Sequence, residues 1–282
     1  MEEIEMTNKG SSIFKYGFLS VAAFVSVFPF LFMLLGVTNK SIDISTGNLK
    51  IGQEFLTNLS NLLSNDLNFQ RAFLNSLLVS LITTICALII SSIAGYGFEI
   101  YRSKKSDKLF NFILLSMMVP FASLMIPLYR MFGQLNKIGL SNFGLNSYFS
   151  VIIPAVSTAF LIFFFRQNAK AFPKELVEAA RIDGLSEIGI FFKIFMPAAK
   201  NTYAAGAIIT FMSSWNNYLW PLVALQSPEK RTLPLVLSAM GASYTPDYGM
   251  MMVGIVISTL PTAIIFFVMQ KQFVQGMLGS IK

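Results

Sequence analysis

Six apolar runs of about twenty residues set what this chain can become: Tyr16–Val37, Leu77–Phe98, Leu109–Leu128, Tyr148–Phe165, Thr202–Leu225 and Met250–Met269. A helix rises 1.5 Å per residue, so about 20 residues cross the ~30 Å hydrocarbon core of a bilayer. Lipid offers no partner to a bare backbone N–H or C=O, so each run is expected to be helical. Pro29, Pro120, Pro154 and Pro261 lie inside these runs and predict kinks, because each removes a backbone donor. Only 12% of the 282 residues are charged, against about 25% in soluble domains. The polar faces of a soluble fold are missing. The expected fold class is an all-α membrane protein with six transmembrane helices. The first run is too long for the ~7–15-residue core of a cleavable signal, and Glu2, Glu3 and Glu5 precede it, so it is read as a retained span.

The remaining charges are placed unevenly. Fourteen of the 21 Lys and Arg fall on the side that holds the N-terminus and seven on the other. Positive residues accumulate on the cytoplasmic side, which predicts that both termini are cytoplasmic. The formal charge of +7 is dispersed between apolar runs. It is read as topology and attraction to anionic lipid, not as a nucleic-acid surface. There is no histidine, and Cys86 is the single cysteine. An intrachain disulfide, a His/Cys zinc site and a Ser-His-Asp hydrolase are thereby excluded, and no metal site is expected. Cys86 sits in LITTICALII and is expected to be a small buried hydrophobe. No G-x4-G-K-[ST] phosphate loop occurs, so this chain carries no phosphate-loop ATPase of its own.

One charged island interrupts this pattern on the basic side, between the fourth and fifth runs: residues 175–197, ELVEAARIDGLSEIGIFFKIFMP. Pro173 suits the start of a helix, and Glu175 then sits near the positive end of its dipole. Gly184 is a natural helix stop, and Ser186 can cap a second helix that runs to Pro197. The island therefore predicts a helix-turn-helix lying along the membrane. On the residues alone it is either a docking surface or an amphipathic connector.

Span five carries two further features. Gly206, Thr210 and Ser214 recur every four residues and share one helix face, which suits either close helix packing or a pathway lining. Asn216 and Asn217 follow, among Trp215, Tyr218 and Trp220. Amides and aromatics can hold a sugar, while Trp and Tyr at a span end also serve as interfacial anchors. The segment EFLTNLSNLLSNDL suits a short amphipathic helix on the membrane surface or a plain connector.

The spacing Glu178-Ala179-Ala180, three residues, Gly184, nine residues, Ile194, one residue, Met196, Pro197 resembles the EAA motif of permease subunits in bacterial ABC importers, with methionine where leucine is usual. NFQRAFLNSLL, WNNYLWPLV, TLPLVLSAM and QKQFVQGMLGSIK are similar to the carbohydrate, maltose-type branch, and the resemblance runs from about residue 14 to the end. It implies a sugar-importer permease subunit, not an enzyme, in the bacterial inner membrane. The implied partners are a second permease subunit, usually a different chain, two cytoplasmic ATPase subunits and an extracytoplasmic sugar-binding protein. No cofactor is implied on this chain; ATP and Mg belong to the ATPase subunits. Glu178, Ala179, Ala180, Arg181, Asp183, Gly184, Ile194 and Pro197 are implied in coupling to the ATPase. Arg181 and Asp183 either add docking contacts or form exposed ion pairs. Phe273, Gly276 and Met277 either reach the ATPase or belong to a frayed end. The expected division is an N-terminus at 1–13, a transmembrane domain at 14–271 holding a coupling loop at 166–200, and a tail at 272–282. The outer loop Gln226–Gly249 either meets the binding protein or is a proline-stiffened connector. The rival readings are an importer of another solute and an ion-driven transporter, although the six runs hold almost no acidic residue.

Overall fold

The computed structural model describes residues 9–48 and 50–278, with backbone only beyond Lys271. Every regular element among the described residues is helical. The chain divides into two compact units, 1–66 with 239–257 and 67–238 with 258–282.

The first unit contains α1 (Lys9–Gly36), α2 (Ser41–Ser45), α3 (Phe55–Ser64) and the start of α15 (Tyr248–Leu278). Helix α1 is apolar on all sides and exposed along most of its length, as a lipid-facing helix must be. Its end is tied down by amides. Asn58 donates to the Val37 and Asn39 carbonyls at 3.0 and 2.9 Å, and Asn39 donates to Leu35 and Lys50, each at 2.7 Å. These bonds satisfy carbonyls that a helix end leaves open. The Asp247 carboxylate accepts from Ser41 Oγ at 2.7 Å, Asn61 Nδ2 at 3.1 Å and the Met250 N–H at 3.0 Å, and so caps α15. Burial pushes the Asp247 carboxyl up, but these donated bonds outweigh it and hold it below its ordinary range. The expected amphipathic helix is α3; it buries Asn58 and Leu62 within this unit.

The second unit is built around α4 (Phe69–Ile100). After it come α5 (Lys104–Leu115), α6 (Phe121–Lys137), α7 (Tyr148–Ile152), α8 (Ala159–Ala171), α9 (Lys174–Ile182), α10 (Glu187–Ile190), α11 (Met196–Ala198), α12 (Lys200–Trp215), α13 (Leu219–Ala224) and the start of α14 (Leu233–Gly241). Helix α4 packs on α8 and α12 through small residues. A Cβ at Gly95 would lie 2.7 Å from both Phe165 Cβ and Arg166 N, and one at Gly206 would lie 2.9 Å from Leu88. Close backbone approach of this kind is how helices gain contact where lipid removes the hydrophobic drive.

Among the described residues, three helices are long and apolar enough to cross a membrane: Phe14–Gly36, Phe69–Ile100 and Tyr248–Lys271; two bent pairs raise the number to five. The third run is not one kinked helix. It breaks at Pro120 and turns by 101°. Proline holds the preceding residue extended, and Val119 has ψ 116°. The fourth run bends by 40° after Ala155. The fifth splits at Asn216–Tyr218 into the 16-residue α12 and the six-residue α13. Pro29 and Pro261 lie within unbroken helices. The two tryptophans are not interfacial anchors. Trp215 and Trp220 are 3% and 1% exposed, and Trp220 Nε1 donates to the Ser150 carbonyl at 2.7 Å between Phe121 and Phe132. Cys86 is half-buried, not buried.

Candidate functional site: the Gly184 elbow and a broken-helix recess

The charged island forms a helix, a glycine turn and a short second helix. Pro173 is the residue before α9, one step outside the helix, and Glu175 lies in the first turn. At the other end Gly184 has φ +78°, a conformation L side chains rarely adopt. The Leu185 N–H donates to the Ala180 carbonyl at 3.0 Å and the Gly184 N–H to Arg181 at 3.1 Å. This pair of bonds is the Schellman closure, and Leu185 packs with Val177, Ala180 and Ile190 beneath it. Ser186 Oγ then accepts from the Gly189 N–H at 3.2 Å and starts α10. The second arm continues as a π segment, Phe191–Phe195, into α11. Pro197 has no N–H for the Lys193 carbonyl, so the helix widens just before it.

The elbow is anchored by its aromatic side. Ile190, Phe191 and Phe195 are buried, and the two Phe rings pack with Tyr96 of α4 and Ala169 of α8. Three such side chains contribute on the order of 5 kcal/mol of apolar burial. Across the bend, Arg181 forks onto Glu187 at 2.7 and 3.2 Å, and the Tyr101 hydroxyl donates to the same carboxylate. The Arg181 guanidinium, then the Tyr101 hydroxyl, hold the Glu187 carboxyl below its ordinary range. Glu187 in turn pushes the Arg181 pKa up.

The motif residues divide between two faces. Glu178, Ala179, Asp183, Gly184 and Pro197 are exposed. Ala180 is 3% exposed, so its small size admits the second arm of the elbow, while Ile194 is half-buried in the same cluster. Arg181 is paired with Glu187, not with Asp183. Ile182 and Ile188, which sequence reasoning did not select, are 87% and 72% exposed. The side chains of Phe273 and Met277 lie outside the described residues, and Gly276 falls within α15.

Sequence reasoning also missed a charge cluster above the elbow. Arg166 donates to Glu99 at 3.1 Å and to Asp107 at 2.5 Å, and stands 4.1 Å over the Phe110 ring. Arg166 and Glu99 are 8% and 4% exposed, so the pair is buried where α4, α5 and α8 converge. The legible signal was one acid and one base, each at the end of an apolar run.

The breaks in the fourth and fifth runs face one recess. Two adjoining cavities of about 450 and 230 Å³ share Ala155, Thr158, Ser213 and Asn217. Asn216 lines the larger, and Thr210 and Ser214 the smaller. Gly206 is in neither; it packs on Leu88. The four-residue stripe thus serves packing at one end and a cavity at the other.

An all-helical chain with these apolar helices is a multi-pass membrane protein. It belongs to the family of binding-protein-dependent transport system inner membrane components, whose model matches residues 87–279. The chain is 47% identical to the lactose transport system permease protein LacG of Rhizobium radiobacter over 96% of both chains. It is 36% identical to the arabinooligosaccharides transport system permease protein AraQ of Bacillus subtilis over 94% of both. Its fold matches a chain of a bacterial ABC transporter involved in the import of the acidic polysaccharide alginate, with TM-score 0.83 at 22% identity over 97% of this chain and all of that one. Members of the family are transport components, not enzymes.

Proposed function

We propose that this chain is a permease subunit of an ATP-driven saccharide importer and forms half of the translocation pathway. The names of the relatives similar to it along nearly their whole length support the sugar cargo. In this reading the fifth apolar run also crosses the membrane as a broken span, giving six, and both termini face the cytoplasm, which the 14-to-7 distribution of basic residues supports. Residues 14–271 form the transmembrane domain, 166–200 its coupling loop, and 1–13 and 272–282 its cytoplasmic ends. A second permease subunit completes the pathway, two ATPase subunits supply ATP hydrolysis with Mg, and an extracytoplasmic protein delivers the sugar. Phe273, Gly276 and Met277 extend towards the ATPase.

The observation that carries this reading is the elbow. Its inner side is fixed to α4 and α8 by buried aromatics, and its outer side presents Glu178, Ala179, Asp183 and the uncovered Ile182 and Ile188. A body tied to the long α4 and to α8 and tipped with apolar side chains passes a push from a docked ATPase into the bundle. Glu178 supplies a carboxylate for a basic partner, and Gly184 sets the bend. The test is crosslinking in the complete transporter with Cys86→Ser as background. Ala179→Cys or Ile182→Cys should join the ATPase subunit, whereas a cysteine at the buried Ala180 should react poorly. No crosslink from either exposed position, in a complex that imports sugar, overturns the coupling role.

A further inference from the structure

We propose that the polar cavity where α4, α5 and α8 converge binds the phosphate of an anionic phospholipid, drawn from the leaflet on the elbow's side of the membrane. The proposal needs only that the chain crosses a membrane, and it is independent of the cargo. Three observations carry it. First, the cavity is cationic once its internal pairs are counted. It encloses about 300 Å³, and its wall sets Arg102, Arg166 and Lys170 against Glu99 and Asp107. Arg166 bonds Glu99 and shares Asp107 with Arg102, which lies 3.0 Å from that carboxylate. Both acids are thereby engaged, and Lys170 has no ion pair among the described residues. Lys104, Lys105 and Lys108, exposed at the start of α5, are likewise unpaired there. Basic pockets between helix ends at the membrane surface hold lipid phosphates.

Second, donors remain open. Arg166 is 8% exposed and spends its Nε–H on Glu99 and one Nη2–H on Asp107. The other three of its five N–H groups have no partner among the described residues. A nearly buried guanidinium with open donors calls for an acceptor. The Asn111 and Gln167 amides line the same wall. A phosphate answers guanidinium, ammonium and amide at once with charged acceptors, which a neutral solute does not. Third, apolar surface begins one helical turn deeper in the membrane. Residues four apart share a helix face, so Leu115 lies beneath Asn111 on α5 and Phe163 beneath Gln167 on α8. They are 58% and 36% exposed. Phe163 stacks on Phe110 of α5 at 6.5 Å, so the two columns lie side by side. A phospholipid meets cations at headgroup level and these columns along its chains. A free phosphate would leave the columns unused.

The experiment uses the complete transporter, purified in neutral detergent and offered phosphatidylglycerol or phosphatidylcholine with the same acyl chains. Native mass spectrometry reads both the assembled complex and the lipid it retains. Phosphatidylglycerol should be retained in preference. Lys170→Gln should weaken its retention about fivefold, and the double variant with Arg102→Gln about twentyfold, since each cation acts on the same phosphate. Both side chains are exposed and Asp107 keeps its bond to Arg166, so both variants should assemble. Lys193→Gln, which removes an exposed lysine outside the cavity, should leave the preference unchanged. Phosphatidylglycerol with a photoreactive group beside its glycerol should label the peptides containing Asn111 and Gln167. Equal retention of the two lipids, or a preference that survives in the double variant, overturns the proposal. Displacement of the lipid by inorganic phosphate as readily as by phosphatidylglycerol makes free phosphate the ligand and overturns the lipid assignment. A complex that retains the lipid as expected yet imports no saccharide overturns the importer reading and leaves this proposal standing.

Discussion

Replacement of Gly184 separates two explanations of the elbow that give the same loss of function for a bulky residue. If the turn needs glycine for space, damage follows side-chain volume. The structure argues otherwise, since a Cβ at Gly184 would meet nothing within 4 Å. What restricts the position is φ +78°. An L residue held there loses roughly 1–2 kcal/mol, with asparagine the tolerated exception, and β-branched residues fare worst. Since ~1.4 kcal/mol is tenfold in an equilibrium, Gly184→Ala should lower the closed form of the elbow, relative to its opened forms, by about tenfold. The Leu185-to-Ala180 and Arg181–Glu187 bonds resist that opening, so membrane insertion should be unaffected. The assay is sugar uptake into proteoliposomes of the complete transporter, with the amount of assembled complex measured alongside. The expected order is Gly, Asn, Ala, Val. Alanine is smaller than asparagine, so an alanine variant that outperforms the asparagine variant refutes the backbone argument.

Arg166→Met should destabilise the protein by roughly 3–5 kcal/mol, because it leaves Glu99 buried and unpaired, and the double variant with Glu99→Gln should recover part of this; thermal unfolding of the detergent-solubilised complex checks both. Gly95→Ala should prevent tight packing of α4 on α8, since its Cβ would meet backbone at 2.7 Å; a normal yield of assembled complex would contradict the close approach. Trp220→Phe should lower stability by about 1 kcal/mol, as the Ser150 carbonyl loses its donor, and the same unfolding measurement reads it. The Glu187 carboxyl is depressed, so its bridge to Arg181 is fully present above the ordinary carboxyl value of 4.5 and weakens as pH falls through the lower folded value. Limited proteolysis at the elbow should therefore stay constant from neutral pH down to about 5 and rise only below that, and Glu187→Gln should remove the pH dependence.

The elbow was legible because its determinants are local. Proline before a helix, glycine after one and serine before the next each act on their own backbone, so the 25 consecutive residues 173–197 sufficed to read helix, turn and helix. Which side of the elbow faces inward was not legible. Two adjacent alanines look alike in sequence, and only the packing of Ile190 and Leu185 separates the buried Ala180 from the exposed Ala179. The tryptophans went wrong for a related reason. Their place near a run's end suggests an interface, but Ser150, 70 residues away, supplies the carbonyl that lets Trp220 be buried.

Composition and run length alone determined that the chain is a helical membrane protein, because lipid leaves the backbone no other way to satisfy its hydrogen bonds. The turn at Gly184 was likewise determined by residue type. Tertiary structure decided which apolar runs break, that Arg166 gathers Glu99 and Asp107, and that Thr158 and Asn217 meet across one recess. The last two join residues 59 or more positions apart, and contacts at that separation are set by how helices pack rather than by the spacing of residues along the chain.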